Sequence, residues 1–167
     1  RIRANADRMA SLVDDLLALG IADITVLDLS DEALALASHR LGPAGRVVTW
    51  LCADLLAADL APQRYDLWHD RAVSHFLTTG EATARYAAQA ARALPPGGQA
   101  VIGGFAPDGP ERCSGLPVAR RSARDIADFL GNAFELVEER QEVHQTPGGG
   151  MQAFAWARLL RTGLDPA

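Results

Sequence analysis

The sequence predicts an α/β fold: a doubly wound, mostly parallel sheet that ends in an antiparallel β-hairpin. Three observations carry this. Short, uninterrupted apolar runs rich in valine, isoleucine and leucine, as buried parallel strands require, recur along the chain. Helical stretches alternate with them, which implies a parallel sheet with helices on both faces. The last two strand-like runs are separated only by Thr146-Pro147-Gly148-Gly149-Gly150, a turn short enough to make only an antiparallel pair.

Taken in order, a helical pattern runs from Met9 to Leu19, with Leu12, Val13, Leu16, Leu17 and Leu19 on one broad face and Gly20 in the position a C-cap prefers. Ile24-Thr25-Val26-Leu27-Asp28 reads as a buried strand. Ser30 suits the N-cap of the next helix, and Asp31 and Glu32 suit its dipole. That helix reaches Leu41 and stops at Gly42-Pro43. Val47 to Leu51 and Tyr65 to His69 are the next strands, with a loop from Asp54 to Gln63 between them. An alanine-rich helix spans Glu81 to Leu94 and ends abruptly at Pro95-Pro96-Gly97-Gly98. Gln99 to Phe105 is a strand, Ala106 to Arg121 a long loop, and Ser122 opens a helix to Leu130. Strands over Phe134 to His144 and Gln152 to Leu160 close the chain. No repeat or linker interrupts the order, so residues 1–167 are expected to form one domain.

Composition narrows the function. Of the 167 residues, 49% are hydrophobic and 22% charged, which favours a packed core over disorder. Nothing approaches the roughly 20 apolar residues that span a bilayer, so no membrane partner is expected. The net charge is -5 and the basic residues are scattered apart from Arg120, Arg121 and Arg124, which argues against nucleic acid as partner. Cys52 and Cys113 form no metal-binding pair, so no metal is expected. With no signal peptide visible in Arg1 to Asp15, a reduced, cytoplasmic setting is the expectation.

Five short motifs stand in a fixed order: Val26-Leu27-Asp28-Leu29-Ser30, Cys52-Ala53-Asp54, Tyr65-Asp66-Leu67-Trp68-His69-Asp70-Arg71, Leu94-Pro95-Pro96-Gly97-Gly98 and Phe105-Ala106-Pro107-Asp108-Gly109-Pro110. Together they resemble class I S-adenosylmethionine-dependent methyltransferases, whose Rossmann-like sheet also closes with an antiparallel hairpin. The resemblance spans Ser11 to Arg161. It implies S-adenosylmethionine as cofactor, held by Asp28, Leu29, Asp54, Leu55 and His69. Asp28, at the end of the family's second strand, would accept the ribose hydroxyls, or else simply start the turn that Ser30 caps. Asp54 would accept from the adenine amino group, or stand as a solvated loop acid. His69, Asp70 and His75 follow the family's fourth strand, beside the methyl acceptor, and are the candidate catalytic residues. A neutral histidine there could take the acceptor's proton; alternatively Asp70 pairs with Arg71 and His75 packs beside Phe76. Cys113 could be a nucleophile but has no identifiable histidine partner.

One family feature is missing. The methyltransferases open with an apolar strand and a glycine-rich turn that lets the backbone approach the cofactor's methionine end. Here residues 1–10 stand as a degenerate or truncated strand and loop, and the first glycine is Gly20. The missing strand is the central one, so its loss leaves two strand edges unpaired. Arg1 to Asn5 could form a short strand, the chain could be a fragment, or a second copy could rebuild the sheet as a homodimer. The leading expectation is methyl transfer to a small-molecule or protein side-chain acceptor. The alternatives are a non-catalytic binding module of the same fold and, less well supported, a nicotinamide-dependent oxidoreductase.

Overall fold

The computed structural model describes residues 2–146 and 149–165, which fall into two compact units, Arg1–Ala58 and Asp59–Ala167. The first holds helix α1 (Ile2–Ala18), strand β1 (Thr25–Asp28), helix α2 (Asp31–Leu41), a 3₁₀ turn (Gly42–Val47) and strand β2 (Thr49–Cys52). β1 and β2 pair in parallel, with Asp28 opposite Cys52 at their carboxyl ends.

The start of the chain differs from the expected strand: residues 2–5 begin α1. The reason lies in spacing. Ala6, Ala10 and Val13 fall on one helical stripe and are all buried. Ala6 and Ala10 pack with Ala37 of α2, three methyl groups that let two helices approach closely, while Met9, Leu36, Leu41 and Trp50 fill the flanks. Val13 joins Ile24 and Val48 in a second cluster. Gly20 ends the helix in the left-handed region at φ +84°. Its N–H donates to the Leu17 carbonyl and that of Ile21 to the Leu16 carbonyl, the paired closure that a C-terminal glycine permits. At the start of α2 the Ser30 hydroxyl accepts from the Ala33 N–H at 3.1 Å, as its position predicts.

The second unit is a four-stranded sheet in the order β3-β4-β8-β7, built from β3 (Leu67–Arg71), β4 (Gln99–Phe105), β7 (Phe134–Gln145) and β8 (Met151–Arg161). β3 and β4 are parallel; β8 runs antiparallel to both β4 and β7. The expected Rossmann-like layout with a terminal hairpin is therefore present. Helix α3 (Gly80–Ala93) is capped by Thr79, and α4 (Ala123–Leu130) opens with a full capping box between Ser122 and Asp125. The alternate residues Trp68, Asp70, Ala100, Ile102, Ala155, Ala157 and Leu159 are all buried. Tyr86 of α3 meets both Trp68 and Phe129 of α4 on that side. The other sheet face is partly open, since His69 is exposed and Leu67 and Leu160 are well exposed.

Three further expectations change. β1 is half-buried along its length rather than buried, because it pairs with β2 alone and its other edge has no ladder among the described residues. β3 likewise pairs only with β4. Residues 106–121 are not a plain loop: β5 (Arg112–Cys113) and β6 (Leu116–Pro117) form a small antiparallel ribbon. Its turn residues Ser114 and Gly115 both have positive φ. Of the glycine-rich turn, Pro147 and Gly148 lie outside the described residues, as does Arg1.

Candidate active site

The residues expected at the cofactor, apart from His69, cluster at the carboxyl ends of β1 and β2, where open α/β sheets bind ligands. Asp28 Oδ1 accepts from the Ser30 N–H at 2.8 Å, which fixes the carboxylate at the strand end. Its Oδ2 receives no hydrogen bond among the described residues. The Ala53 N–H donates to the Asp28 carbonyl at 3.1 Å and the Cys52 thiol to the Leu29 carbonyl at 3.6 Å, so the two strand exits are tied together. Leu29 follows with 74% of its surface exposed, an apolar side chain left open beside a carboxylate. Asp54 Oδ1 accepts from the Leu56 N–H at 2.9 Å, an Asx-type turn that leaves its second oxygen to solvent. Leu55 lies half-buried in the same turn.

The candidate catalytic residues belong to the second unit, and they separate by environment. Asp70 is buried with its carboxylate fully engaged. Oδ1 accepts from Val73 N–H at 2.8 Å, and Oδ2 from Ser74 N–H at 3.0 Å and Tyr86 O–H at 2.7 Å. The Tyr86 oxygen in turn accepts from Trp68 Nε1 at 2.9 Å. Burial raises the Asp70 pKa, and the Tyr86, Val73 and Ser74 donors partly offset this. Burial and the neighbouring carboxylate push the Tyr86 hydroxyl well up. The alternative pairing of Asp70 with Arg71 does not occur, because alternation along β3 puts the two on opposite faces. Asp70 instead holds the turn after β3, where Ala72 takes φ +68° and donates its N–H to the Gly103 carbonyl at 2.7 Å. Its role is to position that turn.

His75 is 2% exposed, and neither ring nitrogen has a hydrogen-bond partner. The ring sits between Phe76 and Phe105, with centroids 4.5 and 4.7 Å away. Gly104 backs it so closely that a Cβ there would stand 3.3 Å from the His75 Cβ. Burial, and secondarily the Arg121 charge, lower its pKa to about 4, so the ring is neutral. Arg121 closes the other side, donating to the carbonyls of Ser74 at 3.0 Å and Leu77 at 2.6 Å. His75 is thus enclosed beside Phe76, the packing alternative left open above.

His69 is the one histidine of the group with an exposed ring. It leans on Trp156 at a centroid distance of 5.9 Å. Burial of part of the ring lowers its pKa, which Asp70 opposes and Arg71 reinforces. A neutral, solvent-reachable imidazole in the middle of β3, on the open sheet face, can accept a proton. Cys113 is half-buried in the β5–β6 ribbon, and no metal-holding group of side chains occurs among the described residues.

A methyltransferase domain model matches residues 9–102, more than half of the chain. The chain belongs to this methyltransferase family. Solved structures agree on the fold. An S-adenosylmethionine-dependent methyltransferase from Methanosarcina mazei is 13% identical, with 87% of this chain and 86% of that one covered at a TM-score of 0.69. The N-methyltransferase NodS from Bradyrhizobium japonicum is 21% identical over 84% and 74% at 0.65. The 1,6-didemethyltoxoflavin N1-methyltransferase of Burkholderia thailandensis, solved with its acceptor and S-adenosylhomocysteine, is 18% identical over 96% and 79% at 0.65. No curated protein matches in sequence. S-adenosylmethionine is the cofactor that this family uses. At the ends of β1 and β2, one carboxylate oxygen of Asp28 is unclaimed among the described residues and Leu29 next to it in sequence is exposed. Residues 2–18 are helical and contain no glycine, so they supply no glycine-rich turn for the methionine end.

Sequence reasoning missed the surroundings of these residues: Trp156, Arg71 and the Trp68–Tyr86–Asp70 chain. The strand period of two was the available signal for the first two, since it puts Arg71 on the face of His69.

Proposed function

We propose that this protein transfers a methyl group from S-adenosylmethionine to a small-molecule or protein side-chain acceptor. The observation that carries the reading is the Asp28 carboxylate, fixed by Ser30 through one oxygen and free at the other. A ribose diol presents two hydroxyl donors that such an oxygen accepts, in charge-assisted bonds stronger than neutral ones. Leu29 offers an apolar face to a purine, and Asp54 an acceptor for an exocyclic amine. When bound, the cofactor supplies a methyl group on a sulfonium, so that a carbon–heteroatom bond to the acceptor forms as the carbon–sulfur bond breaks and its electron pair stays on sulfur. The acceptor's proton must then leave, and the exposed His69 imidazole is the group we assign to take it. Little other acid–base help is needed; orientation and exclusion of water matter more.

A second reading is a binding module of the same fold without turnover. Methyl-labelled S-adenosylmethionine incubated with the full chain and a panel of small-molecule and peptide acceptors separates the two. Labelled product that disappears in Asp28→Ala supports the enzyme. No label transfer to any acceptor, with the chain folded, supports the module.

A further inference from the structure

The open face of the four-stranded sheet carries an arrangement that the methyl-transfer reading uses only through His69. Register puts Arg71, Gly103 and Trp156 in one row across β3, β4 and β8, with Phe105 and Phe154 paired in the next row. Trp156 lies flat on Gly103, where a Cβ would stand 2.4 Å from its ring. Its Nε1 donates to Glu142 Oε2 at 3.0 Å, which fixes the indole in the sheet plane. Phe154 stacks with it at 6.3 Å and 24°. His69 leans on the indole from β3. The result is a rigid aromatic surface in which Trp156 is half-buried and Phe154, 5% exposed, backs it from within the core.

Arg71 stands at its edge, with the guanidinium 5.5 Å over the Phe154 ring. The residue is only half-exposed, yet its guanidinium has no ion-pair or hydrogen-bond partner among the described residues. Arg120 and Arg158 of the same unit pair with Glu111 and Glu138, and Arg121 binds carbonyl oxygens. Asp70, adjacent in sequence, is committed to Tyr86 and the turn on the opposite face. A partly desolvated cation without an anion is unfavourable, and its planar fork matches a carboxylate in bidentate geometry.

The geometry points to this face as a binding site for a planar aromatic carboxylate, its ring on the half-buried Trp156 and its carboxylate on Arg71. As the acceptor class, this rests on the proposed methyl transfer; as a binding site, it does not. It is tested on the full chain by following the three tryptophan indole N–H resonances, with Trp156 assigned through Trp156→Phe. The probes are 1-naphthoate and its neutral counterpart 1-naphthalenemethanol, with and without S-adenosylhomocysteine. The Trp156 indole should shift with 1-naphthoate, and the alcohol should bind about tenfold more weakly, as loss of a charged hydrogen-bonded pair implies. Arg71→Gln should bring the acid down to the affinity of the alcohol while leaving S-adenosylhomocysteine affinity and the other two indole signals unchanged. Equal binding of acid and alcohol, an unaffected Arg71→Gln, or no Trp156 shift with the acid overturns the site. Binding of 1-naphthoate without binding of S-adenosylhomocysteine would refute the cofactor reading alone.

Discussion

Acidification should destabilise this protein through His75, and the size of the effect follows from its enclosure. In the folded chain the imidazole has no hydrogen-bond partner, two phenyl rings against it and a guanidinium nearby, and its pKa falls from 6.5 to about 4. The unfolded chain therefore binds a proton at a higher pH than the folded one. Stability from this group is fully present above the unfolded pKa and is lost as pH falls towards the folded one. Linkage between those two values gives a loss of about 1.4 kcal/mol at about pH 5.5 and about 2.6 kcal/mol at about pH 4.5. His69, also lowered, acts in the same direction, whereas Asp70, whose pKa burial raises, acts in the opposite one. The His75 share is isolated by comparing urea unfolding of the native chain with His75→Phe across this range. Phenylalanine suits a slot between Phe76 and Phe105 and buries no unpartnered nitrogen, so the variant should equal or exceed native stability near pH 7 by about 1–3 kcal/mol. It should also lose the acid-dependent decline. A His75→Phe chain with the native pH slope, or one strongly destabilised at neutral pH, would refute the reasoning, because the nitrogens would then have partners in solution.

Other substitutions test neighbouring parts of the account. Tyr86→Phe removes one donor from the buried Asp70 carboxylate and orphans Trp68 Nε1, which should cost about 1–3 kcal/mol in urea unfolding. Gly103→Ala sets a methyl group inside the contact distance of Trp156; a loss of about 1–3 kcal/mol and a changed near-ultraviolet circular dichroism signal should follow. Ser122→Ala removes the capping box of α4 and should lower stability by about 0.5–2 kcal/mol. Replacing His69 with Gln should reduce methyl-transfer rate while leaving cofactor affinity unchanged, as measured by turnover against titration.

Much of the fold was legible because its signals are local. The run Gln99 to Phe105, the caps at Ser30 and Ser122, and the stop at Pro95-Pro96-Gly97-Gly98 each announce an element from a few residues. What misled was the start of the chain. A search for the family's first strand treats residues 2–5 as a poor strand, but the alanine stripe of Ala6 and Ala10, completed by Ala37 from a distant helix, makes the segment helical. The half-burial of β1 was not legible either, since a strand reads as buried only when neighbours flank it on both sides and β1 pairs with β2 alone among the described residues. At the site, Asp28 and Asp54 stand where their strand ends predict. The buried setting of Asp70 was not legible, because Tyr86 and Trp68 come from elements whose approach no local pattern reveals. The ribbon over residues 112–117 escaped notice because two residues per strand are too few to show a period.

Calorimetric titration of the full chain with S-adenosylhomocysteine, repeated on Asp28→Ala, tests the central claim most directly. Saturable binding that weakens by about 1–3 kcal/mol in the variant, as loss of charge-assisted hydrogen bonds implies, is the predicted result. No heat from the folded native chain, or equal binding by both chains, would contradict a cofactor site at the end of β1.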